Sequence, residues 1–463
     1  MKTNYKRLLC ILGLLCVSVL SCKKEWLEAK SDKTQAVPAT VKDFQAMLDD
    51  FNSINRTNLI LNEVAADGHY YTQAGFNAML PSLPEFQNVY AWTPITQYEV
   101  ILGNNVPGYT NPYTDILTMN IILDELKKSK DQDRNGLEQV KAQALFNRGR
   151  LYYELAQSFA PPFKVATANT DLGLALRLSS DITEKSVRST VMQTYNQIVS
   201  DLIAAKDVLP NFPDFLSRGS KSAALGMLAK VYLSMGDYVN AFNYANEYLK
   251  IKNTLINYST LSTSANFIGV NQEVAFINRL LGYPQITTEY LIDQSLYDSY
   301  ETNDLRRQIF FKTVPAGITF KGTYGKSIVD LFCGVATDEM YLIRAEGYAR
   351  TGNLSAAMKD LNDLLRTRYA KNPDGSTKYL DQTATNEFDA LTKILTERKK
   401  QLILRNVRWT DLRRLNQEPR FAVTLKRTIG GQTYTLEPNS DRYTFPFPIE
   451  IINASGMPQN PGW

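Results

Sequence analysis

Apolar residues recur with a helical period along much of the chain after residue 40. Spacings of three and four residues place them on one face of a helix. The pattern predicts helices over residues 137–159, 190–209 and 391–415, and helical pairs around residues 229–249 and 345–365. A mainly α fold is therefore expected.

The two helical pairs share an internal repeat of small, aromatic, glycine and small residues at identical offsets. It reads Ala229-x2-Tyr232-x3-Gly236-x4-Ala241 and Ala345-x2-Tyr348-x3-Gly352-x4-Ala357. Small residues allow two helices to cross closely, and glycine permits the backbone conformation of a tight turn. The repeat predicts a tetratricopeptide-like helical-pair scaffold.

Two long stretches, residues 62–112 and 267–332, have neither a helical nor a strand period and are rich in Tyr, Asn, Gly and Pro. Long loops in a compact protein are commonly functional. The predicted fold is therefore a helical scaffold with a long, irregular, loop-rich ligand-binding face.

Aromatic side chains make these two stretches a candidate binding site for sugars. An oligosaccharide site needs exposed flat rings beside amide and carboxylate groups. The candidate ligand-binding residues are Tyr70, Tyr71, Trp92, Tyr98, Tyr283, Tyr290 and Tyr324, among the amides of Asn77, Gln97, Asn104 and Gln285. Packing beneath a loop is the commoner role for any one such ring, so we predict that at least one of the group contacts ligand.

The N-terminus predicts export and lipid attachment. Basic residues precede an apolar run over residues 8–20, which is too short to span a bilayer, and Cys22 follows it. We predict a lipoprotein signal peptide over residues 1–21, lipidation of Cys22 and a tether over residues 22–40. Two or more acyl chains at Cys22 would anchor the protein stably. Ordinary secretion is the alternative.

Composition argues against several classes of function. The formal net charge is +4, and three of the positive charges lie in the signal segment, so no basic footprint for nucleic acid is present. With one histidine, His69, neither a multi-histidine zinc site nor a supported Ser-His-Asp triad is expected. Cys333 is expected to be inert. We predict no metal and no cofactor, although a pair of carboxylates suited to glycoside hydrolysis is compatible with the sequence.

Residues 131–136 begin like a calcium-binding loop, with Asp131, Asp133 and Asn135 at its first, third and fifth positions. Ala142 stands at the twelfth position, where a bidentate glutamate would complete the calcium ligands. An Asn-Gly turn that leads into the following helix is the favoured interpretation.

A group of charged residues on the predicted helices is expected to have a structural role. Arginine forks form geometrically defined pairs with carboxylates between packed elements. The group consists of Glu339, Arg344, Glu346, Glu397, Arg398, Asp411 and Arg413.

The last nineteen residues, 445–463, predict an extended segment that docks on the body, because their prolines fix φ and lack an amide donor. This segment resembles the C-terminal signature of the SusD/RagB family of outer-membrane nutrient-uptake lipoproteins. The matching positions are Phe445, Pro448, Glu450, Ile451, Asn453, Gln459, Asn460, Pro461, Gly462 and Trp463.

Further landmarks resemble the same family along nearly the whole mature chain. They lie at residues 63–67, 148–163, 172–177, 338–346 and 395–414. The chain departs from the family pattern at Leu404-Arg405-Asn406, where the family typically has Phe-Glu-Gly.

The resemblance implies a non-catalytic surface lipoprotein of the cell outer membrane. Such a protein captures an oligosaccharide or other nutrient and passes it to a SusC-like TonB-dependent transporter. The resemblance also implies an N-terminal region over residues 41–215 and a C-terminal region over residues 216–463. A lipid-anchored scaffold or adhesin that binds peptides is the alternative, and a glycan hydrolase is a more distant one.

Overall fold

The computed structural model of the protein describes residues 38–57, 59–79, 85–95, 110–281, 290–325 and 330–463. The predicted signal peptide, the Cys22 lipidation site and nearly all of the tether lie outside these residues. So do two of the candidate aromatics, Tyr98 and Tyr283.

Helices form most of the regular structure in the described residues. In chain order they are α1 Val41–Leu48, α2 Phe51–Ile54, α3 Ile60–Ala65, α4 Gln73–Ala78, α5 Glu85–Ala91, α6 Thr110–Leu126, α7 Arg134–Phe159, α8 Val191–Val208, α9 Lys221–Ser234, α10 Tyr238–Ile251, α11 Gln294–Asp298, α12 Arg306–Ile309, α13 Thr337–Arg350, α14 Leu354–Arg366, α15 Glu387–Gln401, α16 Arg408–Leu415 and α17 Ile449–Ser455.

The strands are short. They are β1 Arg56–Thr57, β2 His69–Tyr71, β3 Leu172–Ala175, β4 Arg188–Thr190, β5 Val274–Phe276, β6 Arg279–Leu281, β7 Tyr290–Ile292, β8 Phe311–Val314, β9 Gly317–Phe320, β10 Asp330–Phe332, β11 Val335–Ala336, β12 Leu425–Ile429 and β13 Gln432–Leu436. They form one three-stranded sheet in the order β1-β6-β10 and five two-stranded sheets.

The long helices stack as a series of neighbours along the chain. Helix α7 packs between α6 and α8, and the series continues through α9, α10, α13 and α14. The predicted mainly α, paired-helix scaffold is thus confirmed, including both copies of the repeat.

The repeat glycines have the roles that the sequence predicts. Gly236 and Gly352 end the first helix of each pair with φ of +72° and +81°. L-residues with a Cβ rarely adopt this conformation, so glycine permits the turn. A third glycine, Gly347, lies where α13 crosses α10, since a Cβ there would be 2.6 Å from the Cβ of Phe242.

The helix predicted over residues 391–415 is wrong as a single element. It is divided into α15 and α16, and Leu404 and Asn406 between them have φ of +56° and +59°. Left-handed backbone at two such residues cannot continue a right-handed helix. This break falls at the position where the chain departs from the family pattern.

The predicted docking of the C-terminal tail is confirmed, but its uniformly extended form is not. Asn460 is buried, and its side-chain amide donates to the carbonyls of Phe159 and Phe445, both at 2.8 Å. The indole nitrogen of Trp463 donates to the Thr444 carbonyl at 2.8 Å. Helix α17 nevertheless forms within the tail, because Pro448 precedes its first residue, where a missing amide costs no helical hydrogen bond.

Candidate functional site

The two aperiodic stretches of the sequence meet in space. Strand β2 from the first pairs antiparallel with β7 from the second, with Tyr70 opposite Leu291 and Tyr71 opposite Tyr290. In the sheet β1-β6-β10, strand β1, which lies just before the first stretch, pairs with β6 of the second stretch. Two segments more than 200 residues apart in the chain therefore form one surface around β2 and β7.

Strand alternation decides which rings of this surface face solvent. Successive side chains in a strand point to opposite faces. Tyr70 is 39 % exposed, whereas His69 and Tyr71 on either side of it are buried. Among the candidate aromatics in the described residues, Tyr70 alone presents a substantial ring surface to a ligand.

Trp92 lies beneath the surface. Its side chain is only 2 % exposed, and its indole nitrogen donates to the Ala65 carbonyl at 3.0 Å. The guanidinium carbon of Arg427 lies 4.3 Å from the centroid of the indole ring and 3.9 Å from that of Tyr90. Arg427 also donates to the carbonyls of Ala65, Ala66 and Tyr90, so it joins the rings to the backbone of α3 and α5.

Tyr71, Tyr290 and Tyr324 also pack in the interior. The Tyr71 ring lies edge-on to Tyr90 at 4.9 Å between centroids, and Tyr290 lies 5.5 Å from His69. The hydroxyl of Tyr324 donates to the Glu273 carboxylate at 2.9 Å. As placed, these rings contact protein, and their contact with a ligand stays a prediction, as it does for Tyr70, Trp92, Tyr98 and Tyr283.

Polar side chains lie on α4, which begins three residues after Tyr70, and on the hairpin of β12 and β13. Gln73 on α4 donates to Asn77 at 2.8 Å, and its side-chain oxygen lies beside Gly430 at the turn between β12 and β13. Gln432 in that hairpin is exposed and accepts from the hydroxyl of Tyr434 at 3.1 Å. The Gly430-Gly431 pair between two β-rich runs is a hairpin signal that could have predicted this contribution.

A partly buried cluster of charged residues surrounds Asp67, which follows α3 and precedes β2. Asp67 accepts from Lys399 at 2.7 Å and from Arg408 at 2.5 Å. Burial alone would raise the pKa of Asp67, but the two cations hold it well below its usual range. Glu63, a turn earlier, accepts from the Asn406 amide at 2.9 Å and contacts no cation among the described residues. Burial, with a contribution from Asp67, raises the pKa of Glu63 to about 7.

His69 and Arg427 are likewise shifted by burial. Burial and the nearby positive charge of Arg427 lower the pKa of His69 to about 3, so the imidazole is neutral at physiological pH. Burial lowers the pKa of Arg427 to about 10. Among the described residues, neither side chain is paired with a hydroxyl or thiol that could act as a nucleophile. Both side chains contribute to the packing of this region.

The charged group predicted to be structural does join packed helices. Arg398 on α15 bridges Glu339 on α13 at 3.0 Å and Asp411 on α16 at 2.8 Å. Arg413 donates instead to backbone carbonyls at the end of α7. Other pairs formed by this group include Arg344 with Asp360, Glu346 with Arg414, and Glu397 with Arg306.

Residues 131–136 form a helix start rather than an Asn-Gly turn. Asp133 caps α7 by accepting from the Gly136 amide at 2.8 Å, so Asn135 and Gly136 lie in the first helical turn.

Within the described ranges, no group of three or more His, Cys, Asp or Glu side chains is suited to hold a metal ion. In that same part of the chain, no helix combines the length and apolar character needed to cross a membrane.

Two family models match the chain. One, described as "Starch-binding associating with outer membrane", matches residues 25–233. The other, described as "SusD family", matches residues 338–463. A curated relative, SusD-like protein P2 of Formosa agariphila, is 27 % identical over 208 residues. That match covers 45 % of this chain and 34 % of the relative, so the chain spans about a third of the relative's length.

Solved structures of similar fold cover nearly the whole chain. A SusD superfamily protein from Bacteroides vulgatus has a TM-score of 0.73 at 19 % identity, with 92 % of this chain and 100 % of that one covered. One from Bacteroides thetaiotaomicron has a TM-score of 0.72 at 20 % identity, with 91 % and 100 % covered. A "Laminarin binding SusD-like protein" has a TM-score of 0.62 at 17 % identity, with 91 % and 99 % covered. At these identities the likeness shows the fold.

Proposed function

The chain belongs to the SusD/RagB family, and from that premise we propose that it is an outer-membrane lipoprotein that binds an oligosaccharide and delivers it to a SusC-like TonB-dependent transporter. The family matches in both halves of the chain are the observation that carries the proposal. The solved relative named for laminarin binding supports a glycan as the ligand class.

The exposed ring of Tyr70 is the proposed point of glycan contact. Sugar rings have apolar faces that pack on flat aromatic surfaces, while their hydroxyls need amide and carbonyl partners. Gln73 and Asn77 on α4, and Gln432 on the hairpin whose turn residue Gly430 meets Gln73, would provide such amides. The site would bind without cleaving, and its affinity would come from stacking and hydrogen bonds.

Lipid attachment at Cys22 and partnership with a transporter are parts of the same proposal. The apolar run before Cys22 supports the first, and family membership supports the second. Anchoring would keep the binding face near the outer membrane, where a transporter could receive the ligand.

Calorimetry of a soluble form that begins after Cys22 tests the binding function. Neutral and acidic oligosaccharides and a set of peptides would be titrated, and each mixture would be assayed for new reducing ends. Saturable heat with a glycan and no new reducing ends is the expected result. Replacing Tyr70 with Ala should weaken that binding about fivefold, because a stacking contact contributes on the order of 1 kcal/mol.

Phe212→Ala is a matched control, since Phe212 is an exposed ring in the connection between α8 and α9 and lies on neither β2 nor β7. It should leave glycan affinity unchanged. Binding of peptides in place of glycans would favour the scaffold or adhesin, and new reducing ends would contradict a purely binding role.

A further inference from the structure

A second groove of ligand size lies beside the pair β2-β7. It is formed by α11, which directly follows β7, by one face of α15, and by the segment after α16. Its volume is about 480 Å³, within the range of small-molecule and oligosaccharide sites. Gly68, at the start of β2, lies against Leu296 of this groove, so the groove adjoins the surface that carries Tyr70.

The charged side chains that line the groove are all cations. They are Lys399, Lys400, Arg408 and Arg420. The carboxylates that pair with these cations do not line the groove. Lys400 pairs with Glu397 at 2.8 Å, and Arg420 pairs with Glu387 at 2.9 Å and Glu418 at 3.2 Å.

One end of the groove keeps an excess of positive charge. Lys399 and Arg408 share the single carboxylate of Asp67. The side chain of Lys399 is 32 % exposed, so its ammonium can gain a second anionic partner from solvent. A carboxylate or sulfate on a ligand would complete this cluster by a charge-assisted hydrogen bond.

The other end of the groove carries an aromatic surface. Phe388 is 50 % exposed although it is a large apolar residue, and it stacks on Phe421 with centroids 5.7 Å apart and planes 15° from parallel. Thr392 and Thr396 continue the same face of α15 towards Lys399, since residues four apart are neighbours on a helix. From residue 388 to residue 399 the helix rises by about 16 Å, a length that takes several sugar rings.

We propose that this groove binds an acidic oligosaccharide, with a carboxylate or sulfate group at Lys399 and a sugar face on Phe388. The cations that line the groove favour an anionic ligand over a cationic one, and the hydroxyls of Thr392 and Thr396 between the two ends match the hydroxyl rim of a sugar. The inference rests on the proposed glycan-binding function and names its ligand class.

The test compares a hexamer of uronic acids, a sulfated galactan hexamer and a neutral glucan hexamer by calorimetry at low and high salt. The native soluble form should bind at least one acidic hexamer, and binding should weaken at high salt because exposed charges are screened. Lys399→Gln should weaken that binding about tenfold, as expected for loss of a charge-assisted contact. Phe388→Ala should weaken it comparably, and the half-exposed site of Phe388 allows this variant to fold.

Lys426→Gln is the matched control, because Lys426 is an exposed cation on strand β12 outside the groove lining. It should leave acidic-glycan affinity unchanged. Acidic binding that is lost in Tyr70→Ala but unaffected by Lys399→Gln and Phe388→Ala would overturn the groove while leaving the proposed function intact. Binding of the neutral hexamer alone would also overturn the groove and leave the proposed function intact. So would binding of a hexaglutamate peptide at the groove with the same affinity as the acidic hexamer. Absence of binding to every glycan would overturn both proposals.

Discussion

Arg405 donates to the Asp338 carboxylate across 2.9 Å in the protein interior. The contact ties the loop between α15 and α16 to the first turn of α13. Burial opposes ionisation of Asp338, but the charges of Arg405 and Arg368 lower its pKa. Helix α13 thus supplies an acidic partner for the buried cation of Arg405.

Removing that arginine should destabilise the protein strongly. Arg405→Leu leaves the carboxylate of Asp338 without this partner in the interior, and breaking a buried pair costs about 3–5 kcal/mol. Urea denaturation would measure the free energy of unfolding. Arg366→Ala, which breaks the more exposed pair with Asp381, should cost about 1 kcal/mol or less. Similar losses in both variants would contradict a special role for the buried pair.

Trp92→Ala should act on stability before it acts on binding. The buried indole packs against Arg427 and donates to Ala65, so its removal leaves a cavity and loses a hydrogen bond at a cost of about 3–5 kcal/mol. Tyr70→Ala should change the free energy of unfolding by about 1 kcal/mol or less. If Trp92→Ala kept full stability and lost glycan affinity, the indole would be a ligand contact after all.

The turn glycine of the second repeat should tolerate Asn better than Ala. A Cβ at Gly352 meets no atom within 4 Å, so the cost of Gly352→Ala comes from its φ of +81° and should be about 1–2 kcal/mol. Gly352→Asn should cost less, because Asn visits the left-handed region more readily. Thermal unfolding of the two variants would rank them, and an equal effect would show that the backbone conformation is not the cause.

Glu63 should make stability fall as the pH rises. Its folded-state pKa of about 7 lies above the ordinary value of 4.5, so the folded state binds its proton more tightly than the unfolded chain. The resulting stabilisation is complete below about pH 4.5 and is lost as the pH rises towards about 7. Glu63→Gln should remove this dependence.

The measurement is the difference in free energy of unfolding between the native protein and Glu63→Gln from pH 4.5 to pH 8. The native protein should lose stability relative to the variant by up to about 1.4 kcal/mol per pH unit between pH 4.5 and about 7, and the difference should level off above that. Taking the difference cancels the opposite contribution of His69, whose lowered pKa makes stability fall as the pH drops below about 6.5. A difference independent of pH would show that Glu63 titrates normally.

Regular elements could be read from the sequence because their signals are local. The repeat around Gly236 and Gly352 predicted the helix pairs and their turns. The helical period predicted the bounds of α7 and α8 closely. The division between residues 215 and 216 stays a prediction. The break after α15 was missed because Leu404 and Asn406 carry no Gly or Pro signal, and α17 was missed because proline spacing suggested extended chain.

The sequence by itself determined a helical-pair scaffold, a docked tail and two aromatic-rich segments, since period, repeat spacing and composition act over neighbouring residues. Only the tertiary structure decided which aromatics are exposed. Strand pairing turns Tyr70 outward and Tyr71 inward, and Arg427, more than 300 residues from Trp92 in the chain, covers the indole. Burial depends on which distant segments pack together, and no local pattern records that. The cationic groove with Phe388 escaped sequence reasoning for the same reason, because α11, α15 and the segment after α16 come together only in the folded chain.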